Sequence, residues 1–435
     1  MIRRRTATLG LFGLLAACSS DKHDVIKGVQ IPVLPDETGM DVSGNAPAVM
    51  LPTPVALATW PQPLANPAHA PGNVSGPLSF NPRWQVAIGA AGGYRQPLVA
   101  SPVVAGGQIF TMDADAHVRA FSFSTGSELW HTRTRPDGVT TQNLGGGIAY
   151  DSGKLYVSTG YAEALALDAT TGKILWRQSM DYAAQSAPLV AGGLVAIMIQ
   201  NSWLLTFDAQ SGAPGWRFAG AVGTPPMTSV SVTGAPAYAD GIVVAGFSTG
   251  LLAAIDAASG TPIWEQSLAA GFGQASTLDL SDIVASPVIA GGVVYALNLD
   301  GTFMAVDLHS GAKVWTHGAV GSQPPAASGG FLFLLDAKAN LYAVHADDGL
   351  VSWKSALPAY KNEKKKKDPI VWVGPVLVNG TLVAVSDDGR AALVDAQTGT
   401  LKQCVKLAAP TDVPPLAVGG MVLQLTRNAV LTSYG

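Results

Sequence analysis

Short apolar runs alternate with turn residues along most of the chain. Ser101 to Trp130 reads SPVVAGG, QIFTMDA, HVRAFSFSTG and SELW, four runs rich in Val, Ile, Phe and Leu that are parted by Gly, Asp and Ser/Thr. Such runs, too short for helices and bounded by turn formers, predict four strands per unit. The unit recurs. Six times a Gly is followed four residues later by Trp, at Gly126/Trp130, Gly172/Trp176, Gly212/Trp216, Gly260/Trp264, Gly311/Trp315 and Gly349/Trp353, and in a seventh copy Gly399 is followed by Gln403. Successive Trp stand 46, 40, 48, 51 and 38 residues apart. Four-stranded repeats of that length, with no helical period, predict a β-propeller of radially stacked antiparallel sheets. The 49 Gly and 29 Pro suit many tight turns and argue against helical repeats. A β-sandwich array would not need a bulky aromatic at one place in every unit, whereas a Trp on the outer strand of a propeller blade can cover the seam to its neighbour.

The blade count follows from the units. Seven Gly-marked units run from about Pro97 to Leu407, and an incomplete one, PLAVGG, MVLQLTR, NAVLTSYG, spans Pro415 to Gly435 with three strands and no Trp. Arg83-Trp84-Gln85-Val86 is expected to supply its fourth strand, closing the ring by pairing N- and C-terminal segments and removing exposed edges. Residues 80–435 then form eight blades, with seven as the alternative. Trp84, Trp130, Trp176, Trp216, Trp264, Trp315 and Trp353 are the expected seam residues, and Trp84 is expected to make good the Trp missing at Gln403.

The N-terminal region speaks to location. Arg3, Arg4 and Arg5 precede an apolar run from Leu9 to Ala17 that ends in Leu15-Ala16-Ala17-Cys18. A basic region, a short apolar core and small residues describe a secretory signal over residues 1–17, too short to span a membrane stably. With Cys at its end it resembles a bacterial lipoprotein signal, which implies lipid attachment at Cys18, and Ser19 resembles the signal for sorting to the outer membrane. Residues 18–79, rich in Pro and poor in charge, are expected to form a semi-extended tether, with Trp60-Pro61-Gln62 and Asn66-Pro67-Ala68-His69 lying on the propeller surface. Apart from Cys18 only Cys404 is present, so no intramolecular disulfide is expected; Cys404 reads as a small core residue.

A net charge of −4 with 13% charged residues argues against nucleic acid, which needs a basic surface to displace counterions. The one basic run, Lys364 to Lys367, reads as a solvated loop, or else as a dock for an acidic face or lipid head group. Catalytic motifs are lacking. Gly246-Phe247-Ser248-Thr249-Gly250 matches G-x-S-x-G, but an apolar strand follows it where a nucleophile elbow needs a helix. The seven His are scattered, without metal-ligand spacing. Asp168, Asp208, Asp256, Asp307 and Asp395 recur once per blade, as expected of carboxylates that accept backbone N–H bonds in the turn before the Gly, and Asp113-Ala114-Asp115 lacks the other ligands of a calcium loop. No catalytic, metal or cofactor-binding residue is expected.

The unit A-x-D-x-x-[ST]-G-x-x-x-W resembles the repeat of propellers of the pyrroloquinoline quinone dehydrogenase-like superfamily. The combination of Cys18, a Pro-rich tether and eight blades, with the stretches Leu280-Ser281-Asp282-Ile283, Ser286-Pro287-Val288-Ile289 and Lys366 to Trp372, resembles the BamB family, lipoproteins of the outer-membrane β-barrel assembly machinery. That resemblance implies a non-enzymatic scaffold, lipid-anchored on the periplasmic side of the outer membrane and monomeric within a hetero-complex. It implies binding to the BamA-type central subunit and help in delivering unfolded outer-membrane proteins, with strand addition at propeller edges as a plausible mode. The family's Leu-x-Leu-Arg contact loop aligns with Thr228-Ser229-Val230-Ser231, so Val230 and Ser231, with Asp279 and Asp282 on the next connector, are the candidate partner-binding residues, although the Arg is missing. Quinoprotein dehydrogenases, which share the repeat, are the rival class; they resemble one another in a vicinal Cys pair or in Glu, Asn and Asp at the ring centre. This chain has no Cys-Cys, and eight minimal blades leave little room for inserts that roof a cofactor. A lipoprotein scaffold for another envelope partner is the third possibility.

Overall fold

In the computed structural model, which describes residues 40–93, 96–220, 233–268 and 282–435, the described residues form strands and turns with no helix. Eight four-stranded antiparallel sheets follow in chain order. Blades 1 to 7 cover residues 103–132, 146–179, 189–219, 237–267, 288–318, 326–356 and 372–406. Each runs from a strand on the central channel to one on the outer rim. In blade 8 the strands Leu416–Val418, Met421–Leu425 and Val430–Tyr434 are completed by Pro82–Ala87, which pairs antiparallel with Val430–Tyr434. Both ends of the array therefore share one sheet, which closes the ring.

The repeated residues do their work at the seams. Each turn Gly from Gly126 to Gly399 has φ between +71° and +76°, a left-handed conformation that an L side chain adopts at a cost of roughly 1–2 kcal/mol. The Trp of the preceding blade lies flat against it: a Cβ on Gly212 would stand 2.6 Å from Trp176, and one on Gly311 2.5 Å from Trp264. The indole then anchors itself. Nε1 of Trp130, Trp176, Trp216, Trp264, Trp315 and Trp353 donates to the carbonyl of Ala169, Ala209, Ala257, Leu308, Ala346 and Ala396 in the next blade, over 2.7 to 3.3 Å. The repeated Asp holds the turn itself. Asp168 Oδ1 accepts from the N–H groups of Thr170 and Thr171 and from the Thr171 hydroxyl, and these donors hold its carboxyl below the usual range.

Two expectations about the ends of the pattern are corrected. Trp84 fills the seam position of the eighth blade as expected, covering Gly126 between blades 8 and 1, but it does not stand in for the Trp missing at Gln403. Gln403 faces blade 8, whose third and outer strands come from distant parts of the chain, so no Gly turn joins them and no Trp is needed. The neighbour across the strand compensates: Ala166, Ala254, Ala305 and Ala343 lie opposite a Trp, whereas Leu393 lies opposite Gln403. Cys404, expected in the core, is exposed on that same rim strand.

The tether expectation is narrowed as well. From Met40 onward residues assigned to a tether over 18–79 are packed on the ring, with Met40, Trp60, Gln62, His69 and Val74 all buried. Ser43 N–H donates to Val351 O in blade 6. Residues 57–74 then make a circuit of the inner strand edges. Leu57 O accepts from Gly419 of blade 8, Trp60 exchanges both backbone bonds with Val104 of blade 1, and Pro61 O accepts from Tyr150 of blade 2. Pro67 and Ala68 carbonyls accept from Tyr238 of blade 4 and Ile289 of blade 5, and Val74 bridges Leu377 and Asn379 of blade 7. Inner strands have one unpaired backbone edge, and an extended, Pro-rich segment with free carbonyls satisfies it.

Candidate functional site: the central channel

The start of each inner strand lines a channel of about 170 Å³, and the belt adds Trp60, Pro63 and Leu64 to its wall. Gln62 fixes the belt there. Its side-chain Nε2 donates to Val190 O at 2.7 Å while its Oε1 accepts from Val190 N at 3.1 Å, so one amide takes the place of a neighbouring strand. Further round, His69 is buried with Nδ1 2.8 Å from Pro287 O, which makes Nδ1 the protonated nitrogen of a neutral ring. Burial pushes its pKa down to about 4. The chain turns sharply here, since Leu64 and Ala65 have φ of +58° and +75°; the paired edges and the buried Trp60 hold that conformation.

The rest of the channel wall is neutral, with Ser101, Ser186, Thr233, Ser286 and Gln323 among its polar groups and Ala, Gly, Val, Leu and Pro between them. No Asp, Glu, Lys, Arg or His lines it among the described residues. Nor do three His, Cys, Asp or Glu side chains anywhere among the described residues come close enough to share a metal ion. A tricarboxylate quinone with its divalent cation requires acidic ligands for the metal and cationic donors for its carboxylates. The residues at the ring centre do not fit that group.

The other candidates fall into place around this channel. Ser248 of the G-x-S-x-G match sits in a hairpin turn, its hydroxyl hydrogen-bonded to Ser202 Oγ. Asp113 Oδ1 accepts from the N–H groups of Asp115 and His117 and Oδ2 from Ala90, the work of a turn residue. Cys18, Val230, Ser231 and Asp279 lie outside the described residues. Asp282 is 1% exposed, with its carbonyl accepting from Leu299 N–H, so as a partner contact it is corrected: a buried carboxylate does not meet a docking surface. The seven Trp stand at the seams described above and reach neither the channel nor one another's partners. The sequence places Gln62 and His69 on the propeller surface; what it does not reveal is that both are buried and hold the belt to the inner strands through Val190 and Pro287.

The model of the family described as outer membrane protein assembly factor BamB matches residues 81–143 and 135–355. The assembly factor BamB of Yersinia pestis is 27% identical over 355 residues, covering 80% of this chain and 87% of that protein. Among solved structures, BamB from Moraxella catarrhalis superposes with a TM-score of 0.62 at 15% identity, covering 80% of this chain and 97% of its own. A europium-containing methanol dehydrogenase superposes with a TM-score of 0.68 at 15% identity, covering 85% and 90%. At such identities the two structures establish the fold alone. The family model, matching well over half of the chain, establishes more: the chain belongs to the family of the outer membrane protein assembly factor BamB.

Proposed function

We propose that the protein is a non-catalytic scaffold lipoprotein of the β-barrel assembly machinery. Cys18 carries the lipid, residues 19–39 give reach, and the ring faces the periplasm from the outer membrane. It holds the BamA-type central subunit and assists unfolded outer-membrane proteins on their way to insertion. The observation that carries the non-catalytic part is the channel: the site where a propeller enzyme of this repeat would hold its quinone is uncharged among the described residues and is lined in part by the chain's own Trp60, Pro63 and Leu64. The partner reading is supported by the family of assembly factors to which the chain belongs. Val230, Ser231 and Asp279 remain the proposed contacts.

Crosslinking in intact envelopes, followed by capture of the full-length protein, tests the scaffold reading. Recovery of the barrel-assembly subunit, weakened by Val230→Asp, is expected. Reproducible recovery of a different complex without that subunit refutes it, as does quinone absorbance with dye-linked alcohol oxidation in the purified protein. For the anchor, a fatty-acid label on the wild type and none on Cys18→Ala is expected.

A further inference from the structure

Eight of the chain's 14 lysines fall between residues 354 and 406, and five of them sit on one projection. The strands Tyr360–Asn362 and Lys367–Pro369 form a hairpin in the connection from blade 6 to blade 7, with Lys364, Lys365 and Lys366 in its turn. Residues 361–369 are all exposed. The base is held firmly: Ile370 N–H donates to Ala359 O at 2.9 Å and Trp372 Nε1 to Pro358 O at 2.8 Å. The charge at the tip is free. Glu363 Oε1 accepts from the Tyr360 backbone instead of pairing with a lysine. At the base, Asp388 is taken by Arg390, and Asp387 accepts from Val371 N–H. Among the described residues no ion pair involves Lys361 or Lys364 to Lys367, on a protein whose net charge is −4.

The N-terminal segment enters the ring in the same sector. Ser43 N–H donates to Val351 O at 2.8 Å and Ser352 Oγ to Pro47 O at 2.7 Å, so the chain arriving from Cys18 meets the rim strand Val351–Ala356 whose other end leads into the hairpin. Those six residues span about 20 Å. Apolar side chains are exposed on both sides, Val42 and Met50 on the entering segment and Val371 at the hairpin base. Contiguous lysines supply charge without the fixed fork geometry that a shaped acidic protein face selects, and they suit a fluid layer of anionic head groups.

We propose that the blade 6–7 sector is a second membrane contact, in which Lys361 and Lys364 to Lys367 bind anionic phospholipid head groups and stand the ring on its rim beside its lipid anchor. The geometry of standing rests on the acylation of Cys18; the lipid binding does not. A single anchor of few chains is strengthened by a basic patch through their additive free energies.

The test separates the two. The chain from Ser19, which keeps every residue of the described ring and lacks the lipid, is floated with vesicles containing about 30% phosphatidylglycerol or with neutral phosphatidylcholine vesicles at low salt. Binding to the anionic vesicles alone is expected. Combining Lys364→Gln, Lys365→Gln, Lys366→Gln and Lys367→Gln should lower the partition coefficient roughly 10²- to 10³-fold. Lys154→Gln with Lys173→Gln, on blade 2 across the ring, should leave it unchanged, with circular dichroism showing all variants folded. Equal flotation of the four-lysine variant overturns the proposal, as does binding that ignores lipid charge. So does a finding that the hairpin lysines govern capture of an acidic protein while vesicle binding stays constant. In a second arm the full-length lipidated protein is labelled on anionic vesicles with an amine-reactive reagent. Lys364 to Lys367 should be protected relative to Lys173; equal labelling overturns the standing geometry, and absence of acyl label on Cys18 overturns the anchor alone.

Discussion

Replacing Gly311 by Ala tests whether the Trp–Gly contact holds the seam. Its φ of +71° costs an Ala roughly 1–2 kcal/mol. The new methyl would also stand 2.5 Å from Cγ and 2.6 Å from Cβ of Trp264, where carbon atoms prefer about 3.5–4.0 Å. Rotating the indole does not relieve this, because Cβ is fixed to the strand; the seam itself must open by about 1 Å. Overpacking of that kind costs about 1–3 kcal/mol, and displacing the ring from its 2.7 Å bond to Leu308 O adds about 1 kcal/mol. The total is about 3–6 kcal/mol. Gly292 in the same blade is the control, since its φ is +76° and a Cβ there meets nothing within 4 Å. Gly292→Ala should cost only the backbone share, about 1–2 kcal/mol. Urea unfolding followed by Trp fluorescence reads both. In a Trp264→Ala background the Gly311→Ala cost should shrink to the backbone share, a coupling that additive sites do not show. If Gly311→Ala and Gly292→Ala shift the midpoint equally, the contact carries no stability and the reasoning fails.

Other seams and the belt yield sharper contrasts. Trp315→Phe, which loses a 2.8 Å bond to Ala346 O, should cost about 1 kcal/mol more in urea unfolding than Trp84→Phe, because Trp84 Nε1 is buried without a partner among the described residues. Gln62→Leu strips Val190 of both edge bonds and should lower local stability by about 2 kcal/mol or more, read as faster amide exchange at Val190 with the outer strands unaffected. His69 is neutral in the fold with a pKa of about 4 against 6.5 unfolded. Above pH 6.5 neither state is charged and stability is flat; between 6.5 and 4 only the unfolded chain takes up the proton, so stability falls as pH falls, by up to about 3 kcal/mol. His69→Asn should abolish that slope, and a variant that keeps it refutes the assignment.

What could be read from the sequence is what local chemistry repeats. Asp168, Thr171, Gly172 and Trp176 declare a turn, its required left-handed residue and the ring that covers it, so blade order and closure through Arg83 to Val86 were legible. The belt was only partly so. Pro61, Pro67 and Ala68 dock through backbone carbonyls, which any residue has, and nothing in their side chains announces the strand edge they satisfy. Gln403 misled for a related reason: the lapse is visible in the repeat, but that its seam lacks a Gly turn depends on which strands meet in blade 8. Asp282 has the look of a loop carboxylate and is buried by the fold around it.

The seam and the channel answer to different constraints, and that separates this protein from the dehydrogenase whose fold it shares. Every repeated residue, from the turn Asp to the rim Trp, is spent on joining one blade to the next, and none lines the channel. A repeat match therefore speaks for ring geometry and is silent on chemistry. The chemistry is decided by the inner strand starts and by whatever occupies the axis between them. Here those starts are Ser, Thr, Gln, Ala, Gly, Val, Leu and Pro, and Trp60, Pro63 and Leu64 of the belt join them in the wall. With a wall that is uncharged among the described residues, the centre favours the proposed scaffold role, in which the working surfaces are the loops between blades and the rim. On that rim the hairpin between blades 6 and 7 carries five exposed lysines against Glu363 and Asp368.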